Sequence, residues 1–176
     1  MNLKKAEKVA YSLLEEHAVS QPEVPIEKII KDLKINLVYE PLDADISGFL
    51  FRDETTGKSI ICVNENHTTN RKRFTIAHEL GHFLLHNGSE DTHIDRGFTI
   101  NFRNSISSQA INKREIEANA FAAALLMPEE LLIPAVLEKL ENGVDIVDES
   151  GLKDIAKKFK VSEHALCIRL GKLGYL

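Results

Sequence analysis

The apolar residues of this chain follow helical spacing at its start and then alternate with polar residues. Apolar side chains recur every three or four positions from residue 3 to residue 17, which predicts a helix. Pro25 opens a second, shorter helix, since its fixed φ suits a first helical turn. Segments of alternating character follow at residues 35–39, 47–52 and 59–64. The polar, glycine-containing residues 53–58 suit a hairpin turn, so a small three-stranded antiparallel sheet is expected.

Helical spacing returns in the second half of the chain. The predicted helices cover residues 70–85, 112–127 and 128–140, and two more lie within residues 152–173. Pro128 must end one helix because it cannot donate a backbone hydrogen bond, and Ser162 is suited to cap the last one. Residues 88–111 are expected to form a loop or lid with at most a brief strand, at residues 98–102. The pattern therefore predicts a mostly helical α+β protein.

Composition and charge narrow the class of protein. The 176 residues are 43% hydrophobic and 28% charged, an ordinary balance for one globular domain. We expect that domain to span residues 1–176, with residues 152–176 as a C-terminal helical subdomain that resembles a helix-turn-helix. The net charge of -5 gives no overall positive field to attract nucleic acid or anionic lipid, so neither is an expected partner.

The sequence also bears on the cellular compartment. The N-terminal residues carry charges throughout and lack the apolar core of a signal peptide. The longest apolar run, Ala120–Met127, has eight residues and is too short to span a bilayer. Cys62 and Cys167 lie far apart and match neither a disulfide framework nor a CxxC metal knuckle. We therefore expect a cytoplasmic protein with reduced thiols and no membrane contact.

The segment His78-Glu79-Leu80-Gly81-His82 contains the pattern HExxH. On a helix His78 and His82 differ by about 40° around the axis, so both imidazoles can reach one tetrahedral ion. Glu79 lies about 100° round from His78, where it can take a proton from a water at the metal without occupying that water's position. The spacing therefore predicts a site for one Zn2+ per chain, with Glu79 as the general base.

A metal-free interpretation is that His78 and His82 are hydrogen-bonded histidines of the core. The residues around the motif disfavour it. These flanking residues are all uncharged: Ile76, Ala77, Leu80, Gly81, Phe83 and Leu84. Such a helix is expected to be buried on both sides with its polar cluster facing a cleft, where a metal would partner the buried polar groups.

Zinc hydrolases need a third protein ligand and an open fourth position. Two carboxylates, Glu115 and Glu117, lie in the downstream helix, and only one of them can be the ligand. Glu115 shares a helix face with Asn119, which is suited to hydrogen-bond the outer nitrogen of a ligand histidine. Glu117 points about 200° away from Glu115 and is expected to be a surface charge paired with Lys113.

Other polar residues have weaker assignments. His86 lies one turn beyond the motif on the same side, and we expect it to support a ligand or to cap the helix. The candidates for stabilising the tetrahedral oxyanion are Tyr39, Arg73 and His93. A further hypothesis places residues 47–51 at the edge of the cleft, where an extended substrate would add as a strand.

The segments HELGHFLLH and EIEANAFAAALLMP, preceded by ISGFLFRD and IICVN, resemble the ImmA/IrrE family of bacterial and phage metallopeptidases over residues 25–176. The resemblance implies that His78 and His82 are zinc ligands, that Glu79 is catalytic and that Glu115 is the third ligand. It also implies a minimal gluzincin-like fold, a helical core with a small three-stranded sheet. The implied substrate is a helix-turn-helix repressor or antitoxin-like regulator, acting in phage or mobile-element regulation.

The leading expectation is a zinc-dependent endopeptidase that hydrolyses a peptide bond in a protein substrate, itself a DNA-binding regulator. One alternative is a metal-binding regulatory or interaction module without a proteolytic role. A second is a DNA-binding protein, because residues 152–166 resemble a helix-turn-helix with several lysines. The second is disfavoured because its reading helix offers Arg169 and Lys172 only late, and because the chain is acidic.

Overall fold

The structure is a computed structural model. It describes residues 2–53, 55–86, 92–95, 106–142 and 149–176, with the backbone alone described at 92–95, 106–112 and 149–150. In order along these residues the elements are α1 (Leu3–Glu16), α2 (Ile26–Asp32), β1 (Asn36–Glu40), β2 (Gly48–Asp53), β3 (Lys58–Asn64), α3 (Thr69–Leu85), β4 (Thr92–Asp95), α4 (Ile106–Leu126), α5 (Glu129–Glu141), α6 (Glu149–Phe159) and α7 (Glu163–Leu173). The predicted α+β class with mostly helical content is confirmed.

The sheet has four strands in the order β1-β3-β2-β4 and is mixed. The β2–β3 hairpin is antiparallel, as predicted, but β1 runs parallel to β3. The sheet is therefore mixed where three antiparallel strands were expected, because β1 pairs in parallel, and β4 adds a strand to the three predicted ones. The parallel pairing is explained by the segment that connects β1 to β2. The side-chain amide of Asn64, at the end of β3, donates to the carbonyls of Leu42, Asp43 and Ile46 in this segment. These contacts hold the connection across the end of β3, so that β2 pairs on its far side.

The segment expected to be a loop or lid contains more regular structure than predicted. Residues Thr92–Asp95 form β4, which pairs antiparallel with β2, and α4 begins at Ile106 instead of residue 112. The candidate strand at residues 98–102 lies outside the described residues. Because β2 has β3 on one side and β4 on the other, the hypothesis that residues 47–51 form a free edge for substrate was wrong.

The helix ends follow local signals that the sequence carries. Thr68 caps α3 by accepting from the Arg71 N–H, and Ser162 caps α7 by accepting from the Ala165 N–H, as predicted for Ser162. Gly174 ends α7 in the left-handed conformation, with φ of 83°, which glycine adopts without steric cost. Local capping therefore explains why most helix boundaries were predicted to within about two residues.

The helix α3 lies in the core between the sheet and α4. On the sheet side, a Cβ at Gly48 of β2 would lie 2.7 Å from Cγ2 of Thr75. On the other side, a Cβ at Gly81 would lie 3.1 Å from both Cα of Ala118 and Cδ1 of Phe121. All eight residues from Thr75 to His82 are buried. Two glycines thus allow the close approaches that fix α3 from both sides.

Contacts of Arg169 join α7 to distant elements. Its guanidinium donates to the Glu7 carboxylate at 2.6 Å, to the Tyr11 hydroxyl at 2.8 Å and to the Met127 carbonyl at 3.4 Å. Its side chain is 1% exposed, so this arginine faces α1 and the end of α4 and not a nucleic acid.

Among the described helices none is by itself long and apolar enough to cross a membrane. Lys113–Leu126 and Glu129–Glu141, which meet at a bend of 59°, reach the required length and apolar content only when taken together.

Candidate metal centre

The helix α3 carries the HExxH residues through the most buried part of the protein. His78 and His82 are each 3% exposed, and Glu79 is fully buried. The apolar side chains of the same helix, including Ile76 and Leu80, are also fully buried. The expectation of a helix buried on both sides is confirmed, and its polar residues are held where water has little access.

A carboxylate from α4 completes a cluster with the two histidines. The Nε2 atoms of His78 and His82 are 3.0 Å apart, and the Glu115 oxygens lie 3.2 Å from the first and 3.3 Å from the second. Zinc bonds of 2.0–2.1 Å at tetrahedral angles require ligand atoms about 3.3 Å apart. The contacts to Glu115 involve a different carboxylate oxygen for each histidine, and all three distances are close to that spacing, so the three side chains suit one tetrahedral metal ion such as zinc with one position left for a non-protein ligand.

The three side chains of the cluster differ in their exposure to solvent. The Glu115 side chain is 30% exposed, whereas those of the two histidines are 4% and 3% exposed. Access from solvent is therefore on the Glu115 side, and the histidines close the cluster from within.

The outer nitrogen of His78 is held by α4. Its Nδ1 lies 2.9 Å from Oδ1 of Asn119, one turn beyond Glu115. Because an amide oxygen only accepts hydrogen bonds, Nδ1 is the donor. The Nε2 lone pair of the neutral ring therefore points into the cluster, which is the tautomer that a metal ligand requires.

The outer nitrogen of His82 is held by a longer chain of contacts. Its Nδ1 lies 3.1 Å from Nδ1 of His86, whose Nε2 lies 3.2 Å from a Glu117 oxygen. The other Glu117 oxygen accepts from the Asn2 backbone N–H at 2.6 Å. Glu117 is thus outside the three-residue cluster, as expected, but it is not a plain surface charge, since its side chain is 21% exposed and meets His86.

The electrostatics of this chain follow from its contacts. The Asn2 hydrogen bond is the main cause that lowers the pKa of Glu117, and His86 adds to it. Burial lowers the pKa of His86, although the Glu117 carboxylate partly offsets that effect. Only the spacing of His86 was visible in the sequence, because Asn2 and Glu117 are 115 positions apart.

Sequence reasoning missed Arg52, which connects the sheet to the motif helix. Its guanidinium donates to the carbonyl of His82 at 2.8 Å and packs over the Phe83 ring, 5.6 Å from its centroid. Burial lowers the pKa of Arg52, and the negative charge of Glu79 partly offsets this. The period-two pattern of β2 contained the signal, because Arg52 shares a strand face with Leu50, which faces the core.

The proposed oxyanion stabilisers make contacts on other elements. The Tyr39 hydroxyl donates to Glu27 of α2 at 2.6 Å, and Arg73 donates to the Val24 carbonyl at 2.8 Å. His93 lies in β4, in register with Leu50, and its side chain is outside the described part. None of these contacts involves the cluster.

A buried HExxH helix held between a mixed sheet and a second helix that supplies a carboxylate defines a class of metallopeptidase-like proteins. Residues 30–171 match the peptidase family model described as the IrrE N-terminal-like domain. Because this match spans most of the chain, the protein belongs to the ImmA/IrrE family of metallopeptidases.

Individual relatives agree with the family. The chain is 28% identical to Metallopeptidase ImmA of Bacillus subtilis over 160 residues, which cover 85% of this chain and 83% of that protein. It is 30% identical to Uncharacterized immunity region protein 2 of Bacillus phage phi105 over 97 residues, or 55% of this chain and 54% of the other. Among solved structures, a Mycobacterium tuberculosis transcriptional regulator has the same fold with a TM-score of 0.64 at 16% identity. That match covers 95% of this chain but 46% of the regulator.

Proposed function

We propose that the protein is a zinc-dependent endopeptidase that hydrolyses a peptide bond in a protein substrate. In this proposal His78, His82 and Glu115 hold one zinc ion, and Glu79 is the general base. The observation that carries the proposal is the convergence of two imidazole nitrogens and the Glu115 carboxylate, with contacts of 3.0–3.3 Å, at the helix that also carries the buried Glu79. Two imidazoles and one carboxylate with an open fourth position are the donor set of hydrolytic zinc sites.

Each residue has a distinct task in the reaction. Zinc, when bound, supplies the Lewis acidity that polarises the scissile carbonyl. Glu79 takes the proton of the attacking water and passes it to the leaving amine. Asn119 keeps the His78 lone pair directed at the metal position. Arg52 holds the carbonyl of His82, and so fixes the last turns of α3 against the sheet.

The proposed substrate is a helix-turn-helix repressor or antitoxin-like regulator. Support comes from the names of the relatives, a metallopeptidase ImmA and an immunity region protein of a phage. A substrate that binds DNA would place the reaction in the cytoplasm. We further propose that α6 and α7 are a packing subdomain of the same domain, because Arg169 is buried against α1.

The test is cleavage of a helix-turn-helix regulator, chosen first from among the genes that neighbour this one. Purified protein loaded with zinc is incubated with that regulator, and fragments are identified by mass spectrometry. Glu79→Gln is the matched control, since it preserves side-chain size and removes the base. We expect the wild type to cut at one site and the variant to be about 10²–10⁴-fold slower. Zinc binding with an intact regulator would instead indicate a regulatory module, and equal rates for both proteins would refute the role of Glu79.

A further inference from the structure

We propose that His86 and Glu117 are positioning residues that fix the ring orientation and tautomer of His82. They would act through a hydrogen-bonded chain that ends on the backbone of Asn2, at the start of α1. This inference rests on the proposed metal site, because it concerns how one of the three ligands is held. It assigns a role to two side chains that the catalytic proposal leaves without one.

The contacts have one consistent hydrogen-bond direction. The Nε2 atom of His82 belongs to the cluster, so its lone pair must point there and its proton must be on Nδ1. That proton is donated to Nδ1 of His86, 3.1 Å away. His86 then carries its own proton on Nε2 and donates it to the Glu117 carboxylate at 3.2 Å. Because an ionised carboxylate only accepts, His86 must donate from Nε2, and a neutral His86 ring then accepts at Nδ1, so the reverse direction is excluded for the neutral ring.

The far end of the chain is anchored by the backbone. The Asn2 N–H donates to the second Glu117 oxygen at 2.6 Å, and the Asn2 side chain caps α1 by accepting from the Lys5 N–H. Helix α1 also packs directly against α4, which carries Glu117. The carboxylate is therefore held in place by two elements while it orients His86.

The two ligand histidines are thus supported differently. The outer nitrogen of His78 meets a neutral amide, Asn119, whereas that of His82 leads through an imidazole to a charged carboxylate. A hydrogen bond from the outer nitrogen to an acceptor raises the basicity of a ligand histidine, and loss of such support costs roughly 10–100-fold in metal affinity. The chain would therefore strengthen His82 as a ligand as well as orient it.

A structural role of His86 can be separated from this one. His86 is the C-terminal cap residue of α3, but the capping bond comes from its backbone N–H to the His82 carbonyl at 3.2 Å. Substitution of the side chain leaves that bond in place. His86→Phe keeps a planar aromatic ring, somewhat larger than imidazole, and removes both ring nitrogens, so it tests the hydrogen bonds and not the cap.

The experiment measures the zinc dissociation constant by competition with a chelator for wild type, His86→Phe, Glu117→Gln and the double variant. Glu130→Gln, an exposed carboxylate on α5, is the matched control for loss of one negative charge. We expect His86→Phe to weaken zinc binding by roughly 10–100-fold, Glu117→Gln to weaken it less and Glu130→Gln to leave it unchanged. The double variant should be no weaker than His86→Phe alone, because both changes break one chain.

Visible absorption of the cobalt-substituted proteins supplies a second readout, since it responds to ligand geometry and not to global stability. The spectrum of His86→Phe should differ from that of the wild type, and that of Glu130→Gln should not. Equal zinc affinity and equal spectra in wild type and His86→Phe would overturn the positioning chain alone. A wild type that binds no zinc would overturn the proposed function itself, and the positioning role with it.

Discussion

Two clusters of buried polar side chains, among those that the structure describes, differ in their hydrogen-bonding chemistry. Around Arg169 a donor meets acceptors, namely the Glu7 carboxylate, the Tyr11 hydroxyl and the Met127 carbonyl. In the cluster of α3 and α4, by contrast, two imidazole nitrogens and a carboxylate, all of which can act as electron-pair donors, lie 3.0–3.3 Å apart.

The difference separates a residue that builds the fold from residues whose donor atoms suit a metal ion. The Arg169 guanidinium needs no further ligand, because it donates hydrogen bonds to three acceptors supplied by the protein. Electron-pair donors gathered within 3.3 Å of one another repel unless a cation or protons lie between them. Buried polar side chains therefore do not by themselves indicate a binding site. Several electron-pair donors that lie close together do indicate one.

The largest expected effect comes from removing one member of the convergent cluster. Glu115→Gln leaves two ligands, so bound zinc should fall well below one per chain, and activity should fall with it. Glu117→Gln should keep zinc near one per chain when zinc is in excess, since it acts only through His86. Elemental analysis of both purified variants makes the comparison. If Glu117→Gln were the variant that emptied the site, the assignment of the third ligand would have to be redrawn.

Substitutions in the cluster around Arg169 should change the free energy of unfolding and not the affinity for zinc. Glu7→Ala leaves the charge of Arg169 buried at 1% exposure, which should cost about 3 kcal/mol in the free energy of unfolding. Arg169→Met should cost less, because the partner Glu7 is 33% exposed and can be hydrated. Denaturant unfolding of the metal-free proteins measures both. A change in zinc affinity in either variant would show that the two clusters are coupled.

A smaller effect is expected where α3 and α4 touch. Gly81→Ala places a methyl group 3.1 Å from the backbone of Ala118, which should destabilise the protein by about 1–3 kcal/mol and weaken zinc binding by shifting Glu115. Gly171→Ala is the matched control on α7, where a Cβ meets nothing within 4 Å. It should stabilise the protein by about 0.5–1 kcal/mol. If the two variants had the same stability and the same zinc affinity, the close approach of α3 and α4 at Gly81 would not be what brings Glu115 to the histidines.

The smallest effect concerns an exposed polar cluster. The Asp53 carboxylate accepts from the hydroxyls of Thr55 and Thr56, and these bonds lower its pKa to about 2. A carboxyl whose folded pKa is depressed stabilises the fold above its unfolded pKa of about 3.9 and loses that contribution as the pH falls. The Tm of metal-free Asp53→Ala should therefore be slightly below that of wild type at pH 7, and the gap should close near pH 2. If the difference in Tm between the two proteins grew as the pH fell, the predicted direction of this pH dependence would be wrong.

Several parts of this architecture could be predicted because their causes are local. Ser162 is a cap that acts within one turn, and the HExxH spacing places His78 and His82 on one side of any helix. The face shared by Glu115 and Asn119 is also a property of a single helix, and the structure brings both residues to the histidines. The spacing of residues along the sequence was sufficient for prediction wherever a single helix determined where the side chains lie.

The errors arose where two distant segments determine the outcome together. Alternation predicts a strand but not the direction of its neighbour, so the parallel pairing of β1 with β3 required the contacts of Asn64. The four residues of β4 show little apolar alternation and pair because β2 offers an edge. Glu117 appeared to be a surface charge because neither His86 nor Asn2 is its neighbour on α4.

The central claim is that two histidines and one carboxylate hold a single zinc ion. X-ray absorption at the zinc edge, together with elemental analysis, tests it directly on the purified protein. The account predicts one zinc per chain, bound only by nitrogen and oxygen at about 2.0–2.2 Å, with scattering from two imidazoles. Sulfur at about 2.3 Å, a single imidazole or the absence of stoichiometric zinc would contradict it.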